Sequence, residues 1–184
     1  MADWIHRVFD ELCGQAPGHV WQAPGFTMPC CQRCTGLYAG ALLACLVLAW
    51  ARHRQFWPAL WIPGVFILLM VPFGYHWVPQ GPCLRTVSGQ LFGCGVVSLL
   101  WLLPGARWLP PQPLPPGRFR RGSLFLAASL LLVPLAASVG GFWLLRLLTL
   151  ASVAGVLVLA ALVGLNLWLL LQAAFSLPAN KSSE

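Results

Sequence analysis

Acidic residues are almost absent from this chain. In 184 residues there are four carboxylates, Asp3, Asp10, Glu11 and Glu184, so nothing between positions 12 and 183 carries a negative side chain. That excludes paired carboxylates for general acid–base work, and it argues against proton-coupled transport, which relies on acids or histidines inside the membrane. Lysine is nearly missing too, with Lys181 alone among eleven cations. Charged residues make up 8% of the chain, against roughly 25% in soluble domains, which excludes a water-soluble globule. Disorder fails from the opposite side, because 59% of residues are hydrophobic and 12% aromatic. No Ser-His-Asp arrangement and no glycine-rich phosphate loop is present. A polytopic membrane protein remains, in keeping with the mean hydropathy of +0.77.

The net charge of +7 does not point to nucleic acid, since the arginines are scattered in short loops rather than gathered on one solvated face. In a membrane chain such loops act first as topological anchors. No signal peptide is expected, because acids and prolines precede the first apolar run. Trp4, Ile5, Val8, Phe9 and Leu12 recur at helical spacing, which predicts an amphipathic, interfacial helix near the N-terminus. Gly14, Pro17, Gly18, Pro24, Gly25 and Pro29 then predict an irregular loop over 13–30, so residues 1–34 read as an interfacial helix followed by a Cys/His loop.

The fold class expected from here is all-α, a polytopic transmembrane helix bundle of about five spans. Residues 35–103 form a three-span core: 35–51, stopped by Arg52 and Arg54; 57–72, with Trp57 and Trp61 as interfacial anchors; and 86–103, after a polar turn over 74–85. Gly36 and Gly40 in the first span, and Gly89 and Gly93 in the third, have the spacing that lets helix backbones approach closely in lipid, which predicts that these two spans pack together. Residues 104–121, with six prolines and four arginines, predict an extended basic linker. The remaining 122–184 holds one spanning-region charge, Arg146, and predicts two further spans joined near Gly140 and Gly141, then a short polar tail. With five spans, Arg52, Arg54, Arg107, Arg118, Arg120, Arg121 and Lys181 share one side, against Arg7, Arg33, Arg85 and Arg146 on the other. The positive-inside rule then places the N-terminus outside.

Five of seven cysteines fall in or beside two loops on that outer side. Cys31 and Cys34 form a Cys-x-x-Cys pair at the mouth of the first span, with Cys30 adjacent, Cys13 and His19 upstream, and His76, Cys83 and Arg85 in the turn before the third span. Two thiolates two residues apart chelate a soft ion without strain, so Cys13, His19, Cys31 and Cys34 are a candidate tetrahedral site, with Cys30, His76 and Cys83 as possible additions. Zinc is the first expectation, with copper or an iron–sulfur cluster behind it. The same pair also suits a redox dithiol, with Arg33 and a helix N-terminus lowering a thiol pKa. A third reading is plain disulfides stapling two outer loops of an accessory subunit in a larger membrane complex. Cys45 and Cys94, inside the first and third spans, read as small hydrophobes. Arg85 and Tyr38 are candidates to hold a bound group, against the plainer readings of interfacial snorkelling and packing. Arg146 reads as an interfacial anchor.

The run Cys31-Gln32-Arg33-Cys34-Thr35-Gly36-Leu37-Tyr38-Ala39-Gly40, with Leu84-Arg85-Thr86-Val87-Ser88-Gly89 and Gly93 further on, resembles the signature of a bacterial membrane-protein family of unknown function, DUF2085. The resemblance covers about residues 10–103 and implies a bacterial inner-membrane location, but no activity. The family pattern has a Cys-His pair upstream of this run, whereas Gly14 follows Cys13 here, leaving His19 as the nearest imidazole. The acidic and amide side chains of the family's second polar loop are likewise reduced to Tyr75, His76 and Gln80.

Overall fold

In the computed structural model the described residues are 3–13, 18–52, 57, 59–75, 77, 79–109 and 115–175. The elements follow in the order α1 (Asp3–Cys13), β1 (Val20–Ala23), β2 (Phe26–Cys31), α2 (Gln32–Ala51), α3 (Trp61–Leu68), α4 (Met70–Gly74), α5 (Pro82–Leu100), α6 (Leu102–Trp108), α7 (Pro116–Val139) and α8 (Phe142–Phe175). Among the described residues four helical stretches are long and apolar enough to cross a membrane, α2, α5 with α6, α7 and α8; with the shorter apolar stretch Trp61–Gly74 this is consistent with about five spans. The chain is an all-α polytopic bundle with a small hairpin at one end.

The bundle is organised around α2 and α5. A Cβ on Gly36 would lie 2.7 Å from the Thr86 carbonyl carbon, one on Gly40 2.9 Å from that of Gln90, and one on Gly93 2.9 Å from the Ala41 nitrogen. A Cβ on Gly89 would run into the Arg33 carbonyl. All four glycines expected to bring the two helices together are therefore at backbone contact. A fifth such position, Gly155 of α8, meets the Tyr38 backbone and brings α8 onto the other side of α2. Accordingly more than half of the most apolar stretch of α2 is buried, against under a quarter of that of α8, whose large apolar side chains face outward.

Prolines set the breaks. Proline removes one N–H and its ring crowds the carbonyl four residues earlier. The expected single span 57–72 is instead split at Leu69, next to the Leu68 carbonyl that Pro72 displaces. Pro104 does the same to Leu100, and the helix breaks at Trp101. The freed Leu100 carbonyl accepts a hydrogen bond of 2.8 Å from the Asn166 Nδ2 of α8, whose other bond, 2.7 Å, goes to Leu162. The segment 104–121, expected to be extended, is helical at both ends: α6 runs to Trp108 and α7 begins at Pro116, because proline is well suited to the first turn of a helix. The junction at Gly140 and Gly141 between α7 and α8 is where the sequence places it.

The expectation of an irregular loop over 13–30 is corrected by an antiparallel hairpin, pairing Ala23 with Phe26, Gln22 with Thr27 and Val20 with Cys31. Pro24 and Gly25 are the turn, with Gly25 at φ +75°, the left-handed value that the third position of a type II turn requires. These residues end one strand only to begin another. The apolar face of α1 is also covered by the chain itself: Ile5 and Phe9 are buried in a cluster with Trp21, Met28, Cys30, Tyr38, Ala137 and Leu145, while Val8 and Leu12 stay exposed.

Candidate metal centre

Three elements converge on the mouth of α2. Cys13 ends α1, Cys31 ends β2, and Cys34 stands in the first turn of α2. Their sulfurs all lie within 4.8 Å of one another, and each side chain is partly buried. The hairpin makes this possible by folding the chain back so that Cys31 both leaves the sheet and caps the helix. Its backbone is extended (φ −69°, ψ 162°), and its sulfur accepts from the Cys34 backbone N–H at 3.5 Å in the place an N-cap oxygen would occupy. The Cys31 backbone N–H in turn donates to the Cys13 sulfur at 3.2 Å, tying α1 to the strand. The Gln32 N–H donates to the His19 carbonyl at 2.8 Å and Thr35 Oγ1 to the Cys31 carbonyl at 3.0 Å, so the turn between sheet and helix is fixed from both sides.

The thiols are electrostatically unequal. Cys31 is held well below the ordinary thiol range, first by hydrogen bonding from the Cys13 thiol and then by that from Cys34. Cys13 is pushed up, chiefly by its bond to Cys31. The inner wall is apolar, formed by Phe9, Trp21 and Tyr38, with the Phe9 and Tyr38 rings edge to face at 5.7 Å.

Of the residues expected here, Cys13, Cys31 and Cys34 come together. His19 is described but its imidazole is not within that group; its backbone carbonyl is what contributes, at the base of the hairpin. Cys30 alternates to the opposite face of β2 from Cys31 and is fully buried, its sulfur 3.4 Å from Thr35 Oγ1 and 3.9 Å from Ser152 Oγ; burial pushes its thiol up. Cys83 is exposed at the start of α5, outside the group, and His76 lies outside the described residues. All described cysteines are free thiols. Arg85 donates to Gln32 Oε1 at 3.4 Å, bracing α5 against α2, and Tyr38 packs beneath the sulfurs. Arg146 stacks on Phe142, 4.0 Å from the ring centre.

Arg33, expected to lower a thiol pKa through its charge, instead turns its guanidinium to the opposing loop, and only its backbone acts on Cys31. Its guanidinium donates to the Phe73 carbonyl at 2.8 Å and to Gln80 Oε1 at 2.9 Å, and Gln80 Nε2 donates to the same carbonyl at 2.5 Å. This cross-tie holds the turn after α4 against the first turn of α2. The two polar loops therefore meet at one end of the bundle, as the span count requires.

No curated protein and no solved structure matches the chain. Residues 13–99 match a family described as predicted membrane protein, DUF2085; the matched segment begins at Cys13 and contains both other cysteines of the group, all of α2 and nearly all of α5.

Proposed function

We propose that Cys13, Cys31 and Cys34 bind one thiophilic metal ion, zinc in the first instance, at the outer face of this membrane protein. The carrying observation is the convergence of three sulfurs from three separate elements within 4.8 Å. Zinc–sulfur bonds of about 2.3 Å put tetrahedral thiolates about 3.8 Å apart, so the sulfurs need close by only about 1 Å on binding. Three protein ligands leave the fourth position for water or a small ligand, the arrangement of reactive rather than purely structural zinc sites. Copper(I), which accepts three thiolates in a plane, is the runner-up on the same donor set. Clustering of arginines at the opposite end of the bundle supports the orientation with the sulfurs outside.

Elemental analysis of the full-length chain purified in mild detergent tests this. The expected result is about one metal per chain, lost in C13S, C31S and C34S and retained in C30A. Absence of metal after purification and after zinc or copper(I) reconstitution overturns the proposal. One observation favours a second reading, a thiol–disulfide centre: Cys31 occupies the N-cap of α2 with Cys34 in its first turn, a setting that activates thiols. That reading predicts a reversible Cys31–Cys34 disulfide in metal-free protein.

A further inference from the structure

At the end of the bundle remote from the sulfurs, α2 and α7 diverge and leave a groove of about 310 Å³, lined by Leu46, Val47, Trp50, Arg121, Gly122 and Phe125. Its walls are almost wholly apolar, and Arg121, an exposed residue, is the one charged residue that lines it. One turn earlier on α7, Arg118 Nη1 donates to the Ala51 carbonyl at 3.4 Å, closing the top of the groove over the last turn of α2. Arg52, Arg107 and Arg120 stand at the same end of the helices, and no carboxylate lies there among the described residues: Asp3, Asp10 and Glu11 are all on α1, at the sulfur end. A cation beside an apolar slot, with no carboxylate near it among the described residues, is complementary to one kind of molecule that surrounds a membrane protein. The volume is at the low end for small-molecule sites, which run from roughly 300 to 1,000 Å³. It suits a length of one acyl chain rather than a protein segment.

We propose that this groove binds one anionic phospholipid of the bilayer, its phosphate on Arg121 and an acyl chain between Trp50 and Phe125. Gly122, which is buried, lines the groove without adding a side chain to it. Trp50, half exposed at the last turn of α2, stands at the depth where indoles mark the headgroup boundary. The anionic leaflet faces the cytoplasm, the side to which the arginine-rich loops assign this end.

The test is titration of the full-length protein in mild detergent with phosphatidylglycerol, with phosphatidylcholine of identical acyl chains, and with inorganic phosphate, read by native mass spectrometry and by the thermal unfolding midpoint. One arginine near a headgroup layer favours the anionic lipid by about fivefold. That preference is expected in the wild type, in R120Q, and in R121K, and is lost in R121Q. L46W, which fills the slot from its exposed edge, weakens both lipids while leaving the unfolding midpoint without lipid unchanged. Equal affinity for the two lipids in the wild type, an undiminished preference in R121Q, or inorganic phosphate displacing the phospholipid at similar concentration overturns the proposal.

Discussion

Replacing Gly36 by alanine adds one methyl group where α2 meets α5. Its carbon would lie 2.7 Å from the Thr86 carbonyl carbon and 3.0 Å from the Gln90 nitrogen, with the Thr86 oxygen nearer still. Carbon contacts are comfortable at about 3.5–4.0 Å, and the opposing atoms are backbone, so no rotamer change relieves the clash and the helices must part by about 1 Å. Overpacking of this kind costs about 1–3 kcal/mol. Alanine recovers part of it, since glycine inside a helix is worse by about 1 kcal/mol. The net expectation for G36A is a loss of up to about 2 kcal/mol. Gly164 of α8 provides the opposite case, because nothing lies within 4 Å of the carbon added there. For G164A only the propensity term operates, a gain of up to about 1 kcal/mol. Because Gly36 and Gly40 act on one interface, the double variant should cost less than the sum of the singles: once the helices have separated, the second methyl finds room. Reversible unfolding in mixed detergent micelles measures all four variants. If G36A is as stable as G164A, the close backbone approach does not set the spacing of the two helices.

N166L leaves the Leu100 carbonyl without its donor and should cost about 1–3 kcal/mol; adding P104A, which restores a backbone N–H to that carbonyl, should recover most of the loss in a double-mutant cycle of unfolding free energies. R33Q removes charged hydrogen bonds to Phe73 and Gln80, with an expected loss of about 1.5–3 kcal/mol and faster hydrogen exchange in the turn after α4 as its local signature. In metal-free protein the lowered Cys31 pKa means that its thiolate persists as pH falls below the usual thiol range. Iodoacetamide should therefore label Cys31 at a nearly constant rate between pH 8 and pH 6, where an ordinary thiol slows about tenfold per unit, and C13S should restore the steep dependence. Mass spectrometric mapping of the labelled peptide reads this directly.

Helix–helix pairing was legible because it depends on residue spacing alone: Gly36, Gly40, Gly89 and Gly93 announce a close crossing without reference to anything else. The hairpin was not, because Pro24 and Gly25 carry the same local signal whether they end a structure or turn it, and the strands on either side are four and six residues long. Their pairing is decided by Met28 and Trp21 finding a core that α1, α2 and α8 supply. The same pairing decides which residues can be ligands. Proximity in sequence favoured His19, whereas the strand alternation that turns Cys30 inward and Cys31 toward Cys13 depends on the pairing. Proline in the spans was readable as a break, but the partner of the freed Leu100 carbonyl is 66 positions away in Asn166, and only the packed bundle brings it there.

The length of α8 has a consequence for how the sulfurs are reached. At 34 residues it outruns the 20 of α2. Cys30 lies beside Ser152, and Tyr38 against Gly155, so at about 1.5 Å per residue roughly 15 Å of α8 rises past the level of the thiols toward Phe142. That rising part turns Trp143, Leu144 and Leu147 outward. These outward apolar side chains suit hydrocarbon or headgroups beside the hairpin, an arrangement that would set the thiols below the bilayer surface. An ion, reductant or oxidant that arrives there crosses the headgroup layer first, and a lipid-soluble reagent has the shorter journey.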